Sequence, residues 1–266
     1  SKYLKALNDW KKRPRSLEQE DDDIKLAISM AKELSAQFGT DMAACIVLEA
    51  ERFYWLNRND AGAIQKLRQD SLGLGFVNHD HHAFRCSRQN LAHIINLFEI
   101  LGFHLRKRFH AGNQTTFGGQ VLENPRAGFV IFLDCDLLEE EVNMDFSTST
   151  LKPFESVNTI GLWCALHGES IGRAGMHHLA LQFNFDKLIK DLHQYGVEFM
   201  DPFGNFSYLK QSFTKGQVWK VDLKRINVLY NESFITAKQK DLFEKEGAIG
   251  SHLGNVERKE GFKEFI

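Results

Sequence analysis

The stretch Asn78-His79-Asp80-His81-His82-Ala83-Phe84-Arg85-Cys86 gathers imidazoles, a carboxylate, a guanidinium and a thiol within a few residues. If Asp80 to Cys86 is a strand, side chains two apart share a face, so His81, Ala83 and Arg85 project together while His82, Phe84 and Cys86 point the other way. The first face then offers a metal-type ligand, a small spacer and a permanent cation. The stretch Met176-His177-His178-Leu179-Ala180-Leu181-Gln182 repeats the arrangement, with His178, Ala180 and Gln182 in phase. The shared frame, His-x-Ala-x-(Arg or Gln), selects His81 over His82 and His178 over His177. Paired neutral imidazoles suit zinc, iron, nickel or copper, and a third ligand normally completes such a site. Glu232, at the end of Val228-Leu229-Tyr230-Asn231-Glu232, is the candidate, with Asp222 and Glu198 as alternatives. A His, His, carboxylate face leaves positions open on an octahedral ion, which suits Fe(II) binding a bidentate substrate together with dioxygen. Arg85 would supply a fork for a substrate carboxylate.

These residues need a frame to bring them together. Residues 1–75 read as a helical region. Ser16 with Gln19 forms a capping-box pattern ahead of Ile24, Leu26, Ala27, Met30, Ala31 and Leu34, and Gly39 ends that helix. Thr40 can cap the next helix, and Ala61 to Leu72 forms a third. A packing role is expected for this region, with a lid over a pocket as the alternative. From residue 76 a core takes over: strand, then a helix capped by Ser87 and ended by Gly102, then strands over Phe103–Phe109, Gln114–Leu122 and Ala127–Leu133. Asp134 to Glu141 reads as a solvated acidic loop. A connecting helix spans 153–168, and the order then resumes. His177–Phe183 is a strand, Asp186–Tyr195 a helix, and Val197–Met200, Phe206–Phe213, Gln217–Leu223 and Ile226–Asn231 are strands. The expected fold is α+β, with two βαβββ modules forming a curved, partly closed sheet whose first strands line a central cavity. A helix over Ala237–Glu244 and a Gly-rich coil are expected to pack outside it.

Composition narrows the class. The chain has 266 residues, 43% hydrophobic and 26% charged, with a formal net charge of −2. That is a globular composition without the basic field that nucleic acid or an anionic membrane would favour. Arg106-Lys107-Arg108 reads as alternation on a strand. Cys45, Cys86, Cys135 and Cys164 are widely spaced, as expected of reduced thiols. No apolar run reaches the roughly 18 residues of a membrane span, and Ser1–Lys5 has no signal-peptide h-region, so a cytoplasmic protein is expected.

Asp80-His81-His82-Ala83-Phe84-Arg85 resembles the Asp-His-x-Ala-Phe-Arg signature of the 2-oxoadipate dioxygenase/decarboxylase (2-hydroxyglutarate synthase) family, a branch related to the vicinal oxygen chelate fold. His177-His178-Leu179 is similar to that family's second His-Leu motif, and Leu209-Lys210-Gln211-Ser212 to its Leu-x-Gln-Ser strand. Tyr230-Asn231-Glu232 looks like the segment bearing its carboxylate ligand, although Asn231 and Ser233 are polar here. The resemblance covers roughly residues 75 to 245. It implies an Fe(II) oxygenase that takes 2-oxoadipate and dioxygen to 2-hydroxyglutarate and CO2, with His81, His178 and Glu232 on iron and Arg85 on a substrate carboxylate. Gln182, Gln211 and Ser212 are added as polar groups of the substrate pocket. The same scaffold also supports a glyoxalase-type isomerase or hydrolase using nickel or zinc, or a binding module without metal.

Overall fold

The structure, a computed structural model, describes residues 1–17, 19–110, 116–202 and 204–258. Four helices come first: α1 (Lys2–Lys11), α2 (Glu20–Phe38), α3 (Thr40–Leu56) and α4 (Asp60–Ser71). The first module follows as β1 (His79–Arg85), α5 (Leu91–Ile100), β2 (His104–His110), β3 (Phe117–Asn124) and β4 (Phe129–Asp136). Helix α6 (Thr159–His167) leads to the second, made of β5 (His178–Gln182), α7 (Phe185–His193), β6 (Gly204–Asn205), β7 (Leu209–Phe213), β8 (Gln217–Trp219), α8 (Leu223–Asn231), α9 (Ala237–Glu246) and β9 (Ala248–Arg258).

The two βαβββ modules form one mixed sheet, which among the described residues runs β2-β3-β4-β1-β5-β9-β7-β6, with β8 also on β9. It is not closed, since β2 and β6 end the path. Each half repeats one pattern. β1 lies parallel to β4 and β5 parallel to β9, while β3 and β7 run antiparallel to those last strands. The halves meet where β1 pairs antiparallel with β5, placing His81 opposite Ala180 and Ala83 opposite His178.

The outer face of this sheet is the core. Phe84 is fully buried with its ring 5.3 Å from that of Phe98 on α5, and a single apolar cluster joins residues of α1 to α5 with β1, β4, β5 and β9. His82 belongs to this face as well. It is buried, and Arg52 of α3 donates to its Nε2 at 3.1 Å, so α3 is fastened to the back of the strand that carries His81. The N-terminal helices therefore pack the sheet from behind rather than covering the cavity.

Several local expectations are corrected. Helix α2 starts after Gln19 without a side-chain cap, so the Ser16/Gln19 box does not form, and Thr40 is the first residue of α3 rather than its cap. Of the Gln114–Leu122 strand, Gln114 and Thr115 lie outside the described residues. Asp134 and Asp136 are not loop residues but the end of β4, both buried. Val197–Met200 makes only an isolated bridge, Phe199 to Thr214. Ile226–Asn231 is helical: Asp222 caps α8 by accepting from Lys224 N, and Ile226 and Leu229, spaced i, i+3, are buried while Val228 and Tyr230 are exposed. The module's true last strand is β9, in the segment expected to be coil. Its glycines permit close approach: a Cβ at Gly250 would fall 1.9 Å from the Trp219 ring, and one at Gly254 3.0 Å from Ala180 Cβ.

Replacing Phe84 by Ala should cost about 3–5 kcal/mol of stability, read from urea unfolding. A loss under about 1 kcal/mol would mean that this contact is not central to the core.

Candidate active site

A cavity of about 1420 Å³ opens on the inner face of the sheet, with His81, Arg85, Asp134, His178, Ser212 and Arg258 among its lining residues. The antiparallel seam offsets the two histidines diagonally, and their rings converge across it. The Nε2 atoms stand 2.8 Å apart. Two nitrogens each about 2.1 Å from one ion and at right angles would be separated by about 3.0 Å, so the pair fits two positions on a single divalent metal.

The proton on His81 is set by its neighbour. Asp80, whose side chain is only 7% exposed, accepts from His81 Nδ1 at 2.7 Å, which leaves the Nε2 lone pair facing the cavity. Burial alone would raise the Asp80 pKa, but hydrogen bonds from His81 and Arg258 hold it well below the usual carboxylate range. A carboxylate behind a histidine is the arrangement that orients a metal ligand and raises its basicity. His178 is kept neutral by burial first and then by the nearby His81, His252 and Arg85, all of which oppose a positive charge. Its Nδ1 is buried without a hydrogen-bond partner.

Glu232 does not join this pair. It is the exposed C-cap of α8 and lines a separate cavity beside Asp222 and Arg225. The alternatives fare no better, since Asp222 caps the other end of α8 and Glu198 pairs with Lys215 at the surface. The physical reason is the insertion of β8, α8 and α9 ahead of the last strand, which carries the whole segment away from the seam. β9 takes the place expected of that segment, and it brings Gly254, Val256 and Arg258 to the cavity. Its one carboxylate, Glu257, instead accepts from Phe185 N at 2.7 Å. Among the described residues no group of three or more His, Cys, Asp or Glu is arranged to hold a metal ion. The donor set therefore fits a metal through two imidazoles and does not fit a His, His, carboxylate triad.

Arg85 stands where the frame put it, in the same cavity as both histidines. Its backbone N donates to Ser170 Oγ at 2.8 Å, its guanidinium lies 5.5 Å from the Trp163 ring centre, and its Nε is buried without a partner. Gln211 and Ser212 also line the cavity, and Ser212 Oγ is buried and unpartnered. Gln182 is the exception. It is exposed at the rim and donates to Asp80 Oδ1 at 2.9 Å, so it positions Asp80 instead of lining the pocket.

Sequence reading missed Asp80, Arg258 and Asp134. Asp134 pairs in register with Arg85 across β1 and β4, is 3% exposed, and faces the cavity. Burial pushes its pKa up to about 7 against the opposing pull of Arg85. A signal was present, because Phe132 and Asp134 continue the alternation of the preceding apolar strand. Aromatic walls complete the site: Phe132 lies 4.4 Å from the His81 ring and Phe213 4.7 Å from that of His178.

No family model matches the chain, and no curated protein matches it. Solved structures do. Hydroxyglutarate synthase from Oryza sativa in complex with 2-oxoadipate aligns over 86% of this chain and 85% of that one, at 13% identity and a TM-score of 0.54. A mutant 4-hydroxymandelate synthase from Streptomyces coelicolor aligns over 70% of this chain but only 50% of its own length, at 13% identity and a TM-score of 0.42. Methylmalonyl-CoA epimerase from Mycobacterium tuberculosis aligns over 68% and 88%, at 14% and 0.38. The fold is that of the vicinal oxygen chelate proteins.

In a Co(II) titration followed by its visible absorption, His81→Ala and His178→Ala should abolish binding, while Glu232→Gln should bind as the parent does. Asp80→Asn should weaken binding about 10- to 100-fold through its effect on His81. Loss of metal on removing Glu232 would place that residue back in the site.

Proposed function

We propose that the chain is a metal-dependent oxidoreductase acting on a small 2-oxo dicarboxylate, 2-oxoadipate or a close analogue, which it converts with dioxygen to 2-hydroxyglutarate and CO2. The observation that carries this reading is one cavity holding two convergent imidazoles and Arg85. The first pair suits a divalent metal, and the guanidinium is a fork for a carboxylate. The likeness in fold to the rice hydroxyglutarate synthase supports it further.

Iron(II), held by His81 and His178, would supply the reaction with dioxygen that none of the side chains in the cavity can perform. The chain's own residues do the rest. Asp80 keeps the His81 proton on Nδ1, Arg85 fixes the direction of the substrate by holding one carboxylate, and Phe132 and Phe213 exclude water around the histidines. Ser212 Oγ is a donor without another partner, and Gln211 stands beside it. Among the described residues these two imidazoles are the donors on hand, so any further ligands would come from substrate or solvent.

A second reading of the same two imidazoles is a zinc- or nickel-dependent isomerase or hydrolase, with a metal-free binding module as the limiting case. The discriminating experiment is dioxygen uptake by anaerobically Fe(II)-loaded protein given a panel of 2-oxo dicarboxylates, with CO2 and 2-hydroxy acid measured together. Stoichiometric uptake that disappears in His81→Ala supports the oxygenase. Metal binding through His81 without dioxygen uptake gives the site to the second reading. Arg85→Ala should retain iron and raise KM about tenfold or more, matching the roughly 1.5–3 kcal/mol of a charged hydrogen bond.

A further inference from the structure

Arg85 and Asp134 occupy partnered positions on the parallel strands β1 and β4 and line the same cavity. They are close enough to perturb one another, yet no ion pair forms between them within 4.0 Å and no hydrogen bond ties the Asp134 carboxyl to any described residue. This is unlike the other acidic group on the same face of β4. Asp136 accepts from Ile160 N at 3.1 Å, from Gly161 N at 2.7 Å and from Thr116 Oγ1 at 3.2 Å, and so anchors the start of α6 as a fully satisfied carboxylate. Asp134 has the opposite situation: burial, an open side toward the cavity, and a single cation as its electrostatic support.

The groups around it are few. From β1 come Arg85 and, just past its end, the buried thiol of Cys86, whose backbone N donates to Asp134 O at 2.9 Å. β3 contributes Gly119, opposite Asp134 in register, which brings no titratable group. From α6 comes the buried thiol of Cys164, which faces Arg85, and from β4 itself Asp136. Lys107, His177 and His178 line the same cavity. A carboxylate ligand docking on Arg85 would take over the cation that supports Asp134 and add a like charge beside it, and both effects favour the protonated acid.

We infer that Asp134 is the proton-accepting half of the anion site, so that a carboxylate ligand binds at Arg85 together with one proton from solvent. The protonated carboxyl then has an O–H to donate to the bound carboxylate, completing a two-point clamp of guanidinium and carboxylic acid. The inference rests on the functional reading above, in which Arg85 holds a substrate carboxylate. It extends that reading by making the ligand a carboxylate accompanied by a proton, and by assigning its selection to Asp134 as well as Arg85.

The sign follows from linkage. Asp134 titrates at about 7 in the free protein, so below that pH it already carries its proton and binding takes up none. Above it the free carboxyl is ionised, binding must recruit a proton, and affinity falls as pH rises. The test is calorimetric titration of Fe(II)-loaded protein with 2-oxoadipate under anaerobic conditions, in buffers of different protonation enthalpy. At pH 8 the parent should take up close to one proton, uptake should fade toward pH 5.5, and Kd should rise close to tenfold per pH unit above 7. Asp134→Asn should still bind, with no uptake and a flat profile over that range, and Asp134→Glu should restore uptake. Absence of uptake in the parent, or equal uptake in Asp134→Asn, overturns the inference. Should the Asn variant not fold, the pH dependence of Kd in the parent decides alone, and a flat profile overturns it. Binding that requires Arg85 but carries no proton leaves the functional reading standing, whereas no binding by any 2-oxo dicarboxylate overturns both.

Discussion

Everything in the candidate site depends on the antiparallel seam between β1 and β5. Backbone hydrogen bonds fix His81 opposite Ala180 and Ala83 opposite His178, and that register offsets the two imidazoles by one pleat so that they meet diagonally. A one-residue slip would turn His81 and Arg85 to the core and bring His82 and Phe84 into the cavity. The small alanines matter for the same reason. Each histidine faces a methyl group across the seam, which leaves its ring room to lean toward the other. Phe84 and His82 secure the register from behind, one by filling the core and the other by engaging Arg52.

Support for the seam reaches far along the chain. Arg13 donates to Glu51 and to the carbonyl of Gly172, and Trp10 and Arg15 complete the same buried group on Glu51. Glu51 stays ionised because Arg15 and Arg13 outweigh the burial that would raise its pKa. The turn containing Gly172 also carries Ser170, whose Oγ receives Arg85 N. A hydrogen-bonded path thus runs from α1 through a buried ion network to the strand bearing Arg85. Such a network is costly to break at one partner, because the remaining charge is left buried.

The electrostatic design of the cavity is asymmetric. Cations outnumber ionised acids along its lining: Arg85, Lys107 and Arg258 face it, while Asp134 is driven toward its neutral form by burial. Asp80 spends its charge on His81 and Arg258. A metal on the two imidazoles, as proposed, would add further positive charge and so favour an anionic ligand. The extra helices and strand inserted in the second module act on this balance, because they remove Glu232 from the seam and leave Gly254 and Val256 on the cavity side of β9.

The sequence by itself determined the paired modules, the two strands that begin them, and the placing of His81, His178 and Arg85 on the same face. Alternation with a period of two is a local property, and two copies of one frame reduce the ambiguity between neighbouring histidines. Helix ends at Gly39, Gly102 and Gly196 were legible for a similar reason, since each adopts a positive φ suited to glycine. Only the tertiary structure decided which strand closes the second module. The glycines of β9 read as coil because their function is to let Trp219 and Ala180 approach, a contact with residues remote in sequence. The i, i+3 spacing of Ile226 and Leu229 was present but competed with an alternating pattern, and packing against α6 settled it as helix. Asp134, Asp80 and Arg258 acquire their roles from neighbours across strands. Burial and partnership, which set the charge of a carboxyl group, are properties of the assembled sheet and of no single segment.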